Sequence, residues 1–79
     1  MRADKIRILN EAGYAYKFDR GIYFNPMRKK IFSIEFVEDH DEHELERLIG
    51  EDRRENSWEF YFNTPPSGAV KAELERALG

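Results

Sequence analysis

Apolar positions along the chain change their period several times, and each change predicts a boundary. Over residues 2–12, Ile6, Leu9 and Ala12 recur every three residues and Ile8 widens the stripe, the pattern of a helix with one buried side. Gly13 stands where such a helix ends in a left-handed residue, which glycine adopts without a Cβ penalty. From Tyr14 the period becomes two. Tyr14, Tyr16 and Phe18 share one side of a predicted strand, with Ala15 and Lys17 on the other. Asp19-Arg20-Gly21 supplies turn chemistry. A second strand over 22–25 sets Ile22 and Phe24 against Tyr23, and Asn25-Pro26-Met27-Arg28 suits a type I turn. A third over 30–37 sets Phe32, Ile34 and Phe36 against Ile31, Ser33, Glu35 and Val37. Short turns between these runs predict an antiparallel meander.

Helical spacing returns with Leu45, Leu48 and Ile49, closed by Gly50. Asp41 with Glu44 fits a capping box, with Asp39 as a rival cap. Residues 51–56 carry no apolar anchor and read as a solvated loop. A fourth strand over 57–63 alternates Trp58, Phe60 and Phe62 with Glu59, Tyr61 and Asn63. Thr64-Pro65-Pro66-Ser67 stops it, because the two prolines have no N–H for a ladder. Thr64 or Ser67 then caps a last helix with Val70, Leu74, Ala77 and Leu78 on its stripe.

Collected on one side, Tyr14, Tyr16, Phe18, Ile22, Phe24, Phe32, Ile34, Phe36, Trp58, Phe60 and Phe62 make a face that three one-sided helices can roof. The expectation is an α+β fold, a two-layer sandwich of order α-β-β-β-α-β-α with all helices on one face of the sheet. The helix between strands three and four makes a parallel crossover possible. The fourth strand is placed beside strand one. The opposite face would then carry Ala15, Lys17, Tyr23, Ile31, Ser33, Glu35, Val37, Glu59, Tyr61 and Asn63, open to solvent.

That open face is the first candidate for function. Tyrosine offers large contact area at low rotamer entropy, so Tyr23 and Tyr61, with Glu35, Glu59 and Lys17 around them, suggest a surface for a protein partner or a second copy of the chain. Length agrees with a single domain over 1–79. The chain has no cysteine, hence no disulfide frame and no thiolate site. Its apolar runs are too short for a membrane span, and the expectation is a soluble, cytoplasmic protein.

Catalytic chemistry finds little material. Glu35 and Glu59 could act as an acid–base pair only if their surroundings separated their pKa values, which an exposed sheet face does not do. His40 and His43, inside the acidic run 38–44, are weak candidates for a metal site, and the helical pattern of two His four apart with a Glu between is absent. Ser33, Ser57 and Ser67 have no neighbouring His in a motif, and the five glycines are scattered rather than gathered in a phosphate loop. The reading is a non-enzyme without cofactor or metal.

Nucleic acid is the alternative partner. The net charge of −3 hides an asymmetry: residues 1–30 hold eight Lys and Arg against three acids, and residues 31–79 hold five against thirteen. Arg28, Lys29 and Lys30 on a turn, with Arg2, Lys5 and Arg7 on the first helix, would form the cationic surface. The layout α-β-β-β-α over residues 2–50 resembles double-stranded-RNA-binding domains and the small mRNA-cleaving toxins of the same topology. That resemblance implies an RNA ligand. The chain departs from both patterns: the toxins' histidine after a glycine on strand two is missing from Gly21-Ile22-Tyr23-Phe24, and the acidic run 38–44 stands where the RNA-binding domains are basic. The first expectation is therefore a protein-interaction module, with nucleic-acid binding second.

Overall fold

A computed structural model describes residues 2–51 and 57–78. The chain forms α1 (Arg2–Glu11), β1 (Ala15–Lys17), β2 (Ile22–Asn25), β3 (Lys30–Ser33), α2 (Ile34–Asp39), α3 (Glu42–Gly50), β4 (Glu59–Tyr61) and α4 (Gly68–Leu78). The expected α+β class, the meander and the helix after strand four are all present. Residues 52–56 of the expected loop lie outside the described residues.

Several boundaries follow from local chemistry. Gly13, at φ 91°, ends α1 in a Schellman motif: its N–H donates to Asn10 O at 3.1 Å and the Tyr14 N–H to Leu9 O at 2.9 Å. Asp41 caps α3 by accepting from Glu44 N at 2.8 Å, and Ser67 caps α4 by accepting from Val70 N at 3.3 Å. The third strand is shorter than expected. Ser33 is the last residue of the β3 ladder, opposite Ile22, and it also caps a helix, its hydroxyl accepting from Phe36 N at 3.1 Å. Ile34, Phe36 and Val37 therefore belong to α2 and not to a strand. Ser at a helix start competes with β-branched neighbours for the same backbone, and here the cap wins.

The sheet is mixed, with strand order β1-β2-β3-β4. The fourth strand thus lies beside β3, parallel to it, and not beside β1. The α2–α3 segment is the crossover that parallel pairing demands.

Register is where the expected faces fail. Tyr16 pairs with Tyr23, Tyr23 with Phe32, and Phe32 with Tyr61, so these four share one side. Ala15, Phe24, Ile31 and Phe60 line up on the other. The cause is loop length. Lys17 pairs with Ile22 and Asn25 with Lys30, so each hairpin loop has four residues. An even loop sets odd positions against even ones, and a one-residue slip in register moves a strand's whole apolar set to the other face. The Asn25–Lys30 loop is fixed by Asn25 itself, whose Oδ1 accepts from Met27 N at 3.0 Å and Arg28 N at 3.3 Å while its Nδ2 donates to Ala12 O at 3.1 Å.

Both faces are consequently apolar, and both are covered. Leu9 of α1, Val37 of α2 and Leu45 and Leu48 of α3 pack with Tyr14, Tyr23 and Phe32. Leu74 and Leu78 of α4 pack on the opposite side with Ile22, Ile31 and Trp58, joined by Phe24, Phe60 and Phe62. Lys71 of α4 adds its ammonium over the Phe60 ring, 5.6 Å from the centroid. The helices are thus split between the two faces, with α4 alone on the second. β3 lies at the centre: Ile31 and Phe32, pointing opposite ways, are both fully buried.

Candidate partner-binding edge

With both faces roofed, the expected open sheet face does not exist, and its residues are dispersed. Tyr23 is a core residue, 5% exposed. Tyr61 is half-buried and stacks on Phe32, centroids 4.5 Å apart and planes 9° from parallel. Glu59 lies half-buried at the start of β4 opposite Lys30. Glu35 has left the sheet for the first turn of α2. Lys17 is on β1, ion-paired with Asp19 at 3.4 Å.

The six cations of the alternative surface are likewise not gathered into one. Lys30 is buried, and its ammonium donates to the carbonyl oxygens of Leu48 at 2.5 Å, Ile49 at 3.3 Å and Glu51, closing the C-terminal end of α3. Lys5 does the same for α2, reaching Val37 O at 3.0 Å and Glu38 O at 3.1 Å. A cation suits the negative end of a helix dipole. Arg7 pairs with Asp4 on its own helix. Arg28 is exposed in the β2–β3 loop, and Lys29 takes the left-handed conformation there, φ 54°. Arg2 opens α1.

His40 sits at the C-terminal end of α2, stacked on Phe36 with centroids 3.8 Å apart, its Nδ1 2.8 Å from Phe36 O. His43 is exposed on α3. Among the described residues no three His, Asp or Glu side chains come together as a metal set. No helix among them is long and apolar enough to cross a membrane.

An open pocket of about 310 Å³ lies between the β1–β2 loop, the start of α2 and the segment after β4. Three of its polar walls are already engaged. Arg20 is ion-paired to Glu73, the Ser33 hydroxyl holds the α2 cap, and the Asn63 amide donates to Asp39 at 2.6 Å.

The rim of the sheet has two edge strands, β4 and β1, and the more exposed of them is β1. This strand pairs with β2 alone among the described residues, so its other side is a sheet edge with backbone groups available for pairing. Tyr16 is 45% exposed and Phe18, just past the strand, 85% exposed. The two rings meet edge to face, centroids 6.3 Å apart. Tyr16 leans in turn on Tyr23 at 4.8 Å. An aromatic row therefore crosses the whole sheet, from Tyr61 through Phe32 and Tyr23, and comes out into solvent at Tyr16 and Phe18. Alternation alone places both residues in the core, because it tells sides apart but not an edge strand from a central one. The available signal was the short strand between Gly13 and the Asp19-Arg20-Gly21 turn, with little room for a second neighbour.

Comparison with protein-family models, curated proteins and solved structures finds no match to this chain.

Proposed function

We propose that the protein is an interaction module that binds an extended segment of a protein along β1, adding a strand to its sheet. The observation that supports this is the uncovered β1 edge carrying Tyr16 and Phe18. Strand addition draws affinity from main-chain hydrogen bonds and specificity from alternate side chains, and exposed aromatics beside an edge supply the anchors. Tyr16 and Phe18 touch each other, and a contiguous exposed apolar patch marks an interaction site where scattered single residues do not. The pocket by Arg20 is a weaker candidate, because Arg20, Ser33 and Asn63 already have partners.

The test is selection of displayed random linear peptides on the immobilised protein, followed by mapping of bound peptides through backbone amide shifts. The reading predicts shifts concentrated on residues 14–18 and at least about tenfold weaker binding by the Phe18→Asp variant. Peptides whose shifts fall on the Arg20 pocket or on α4, with binding indifferent to Phe18→Asp, would contradict it.

A further inference from the structure

We infer that the segment taken up at β1 is the β1 strand of a second copy, joining two sheets into one of eight strands about a two-fold axis centred on Tyr16. The inference rests on the interaction reading above and names its partner. An antiparallel strand laid on itself with Tyr16 opposite Tyr16 puts Phe18 opposite Tyr14 and Lys17 opposite Ala15. The exposed Tyr16 rings then meet across the axis, and each exposed Phe18 reaches past the end of the partner strand, beside Tyr14, whose own ring is turned into the core. This register also continues what each sheet already does: the row Tyr61, Phe32, Tyr23, Tyr16 meets its own mirror order across the axis. Cross-strand aromatic pairs are among the stabilising pairs of antiparallel sheets.

Charge permits the meeting. In this register the two Lys17 side chains lie diagonally across the axis, and each is held by its own Asp19 at 3.4 Å. The copies approach as neutralised pairs rather than as like charges. The contact area is small. With Tyr16 45% and Phe18 85% exposed, aromatic side chains of ~150–250 Å² leave about 250 Å² of ring surface per copy. Adding the strand backbone keeps the interface below about 1,200 Å², the range of transient complexes. The dimer is accordingly weak and reversible, with a dissociation constant on the order of 10–100 µM.

Two measurements test it. Sedimentation equilibrium from about 5 µM to 1 mM brackets the expected constant and should show a monomer–dimer equilibrium that Phe18→Asp weakens about tenfold or more. Phe18 is so exposed that this variant keeps its fold, which circular dichroism verifies. The absence of cysteine from the chain allows single-cysteine mapping. Under mild oxidation Tyr16→Cys should cross-link to itself, since directly opposed residues have Cβ atoms ~4.5–5.5 Å apart. Phe18→Cys should not, because four residues of offset separate the two copies by roughly 13 Å. A dimer that cross-links through position 18 and not 16, or that ignores Phe18→Asp, overturns the inference. So does a wild-type protein that stays monomeric throughout. If that monomer still binds selected peptides at residues 14–18, the interaction reading survives and only the second copy is lost. If it binds none, both fall.

Discussion

Lys30 shows how far a single side chain can depart from what its neighbours suggest. It ends a run of three bases at a turn and would ordinarily point into water, since lysine is seldom fully buried. Instead it is 1% exposed and supplies the donors for three carbonyls at the end of α3. Removing the ammonium leaves buried acceptors without a partner, the expensive kind of loss. Lys30→Met should therefore lower unfolding free energy by about 3 kcal/mol, measured in urea. Lys5→Met, at a more open helix end, should cost about 1 kcal/mol. Equal and negligible losses would mean that neither lysine holds its helix. Nothing in the Arg28-Lys29-Lys30 run separates the buried member from the other two. Only the β2–β3 register, which turns position 30 toward the side of Tyr23 and Phe32, does so.

Tyr14 is the second residue with a measurable consequence. Its hydroxyl is buried with no hydrogen-bond partner among the described residues. Burial pushes its pKa up to about 12; the charge of Arg28 pulls it back and that of Glu59 adds to the rise. An unfolded tyrosine ionises near ~10. The folded state thus binds this proton more tightly, and its contribution to stability is full below pH ~10 and lost as pH rises toward 12. Urea unfolding across that window should show stability falling more steeply for wild type than for Tyr14→Phe. The variant should be at least as stable as wild type at neutral pH, because the hydroxyl it removes makes no bond. Identical slopes would contradict this account of Tyr14.

At the scale of elements, much was legible. The Schellman end at Gly13, the Asp41 cap, the Ser67 cap and the alternation of Trp58, Phe60 and Phe62 all rest on short-range chemistry that the chain carries openly. The stretch 30–37 was not, because Phe32, Ile34 and Phe36 satisfy a period of two while Ile34 and Val37 satisfy helical spacing equally well. Ser33 decides between them. Ser33→Ala should cost about 1 kcal/mol, and its effect should concentrate on the amide protection of Ile34–Asp39. Loss of protection spread evenly through the sheet instead would mean that the serine is not the switch. Which sides the strands share was also hidden, since it turns on two four-residue loops whose geometry depends on Asn25, Gly21 and Lys29 rather than on any apolar pattern.

Over the whole molecule, that hidden parity relocates the site. A sheet apolar on one face leaves the other for partners, as expected for Tyr23 and Tyr61. A sheet apolar on both must roof both, and α4 closes the second side with Leu74 and Leu78. The surface left for contact is the rim, where the aromatic row comes out at β1. The basic bias of the first thirty residues is partly spent inside the fold as well, with Lys5 and Lys30 terminating helices. The most direct test follows the backbone amides of the isotope-labelled protein from dilute solution to about 1 mM, above the expected constant. The account predicts concentration-dependent shifts and slowed exchange confined to Ala15–Lys17 and the adjoining Tyr14 and Phe18. Shifts centred on α4 or the Arg20 pocket, or a spectrum unchanged over the whole range, would contradict it.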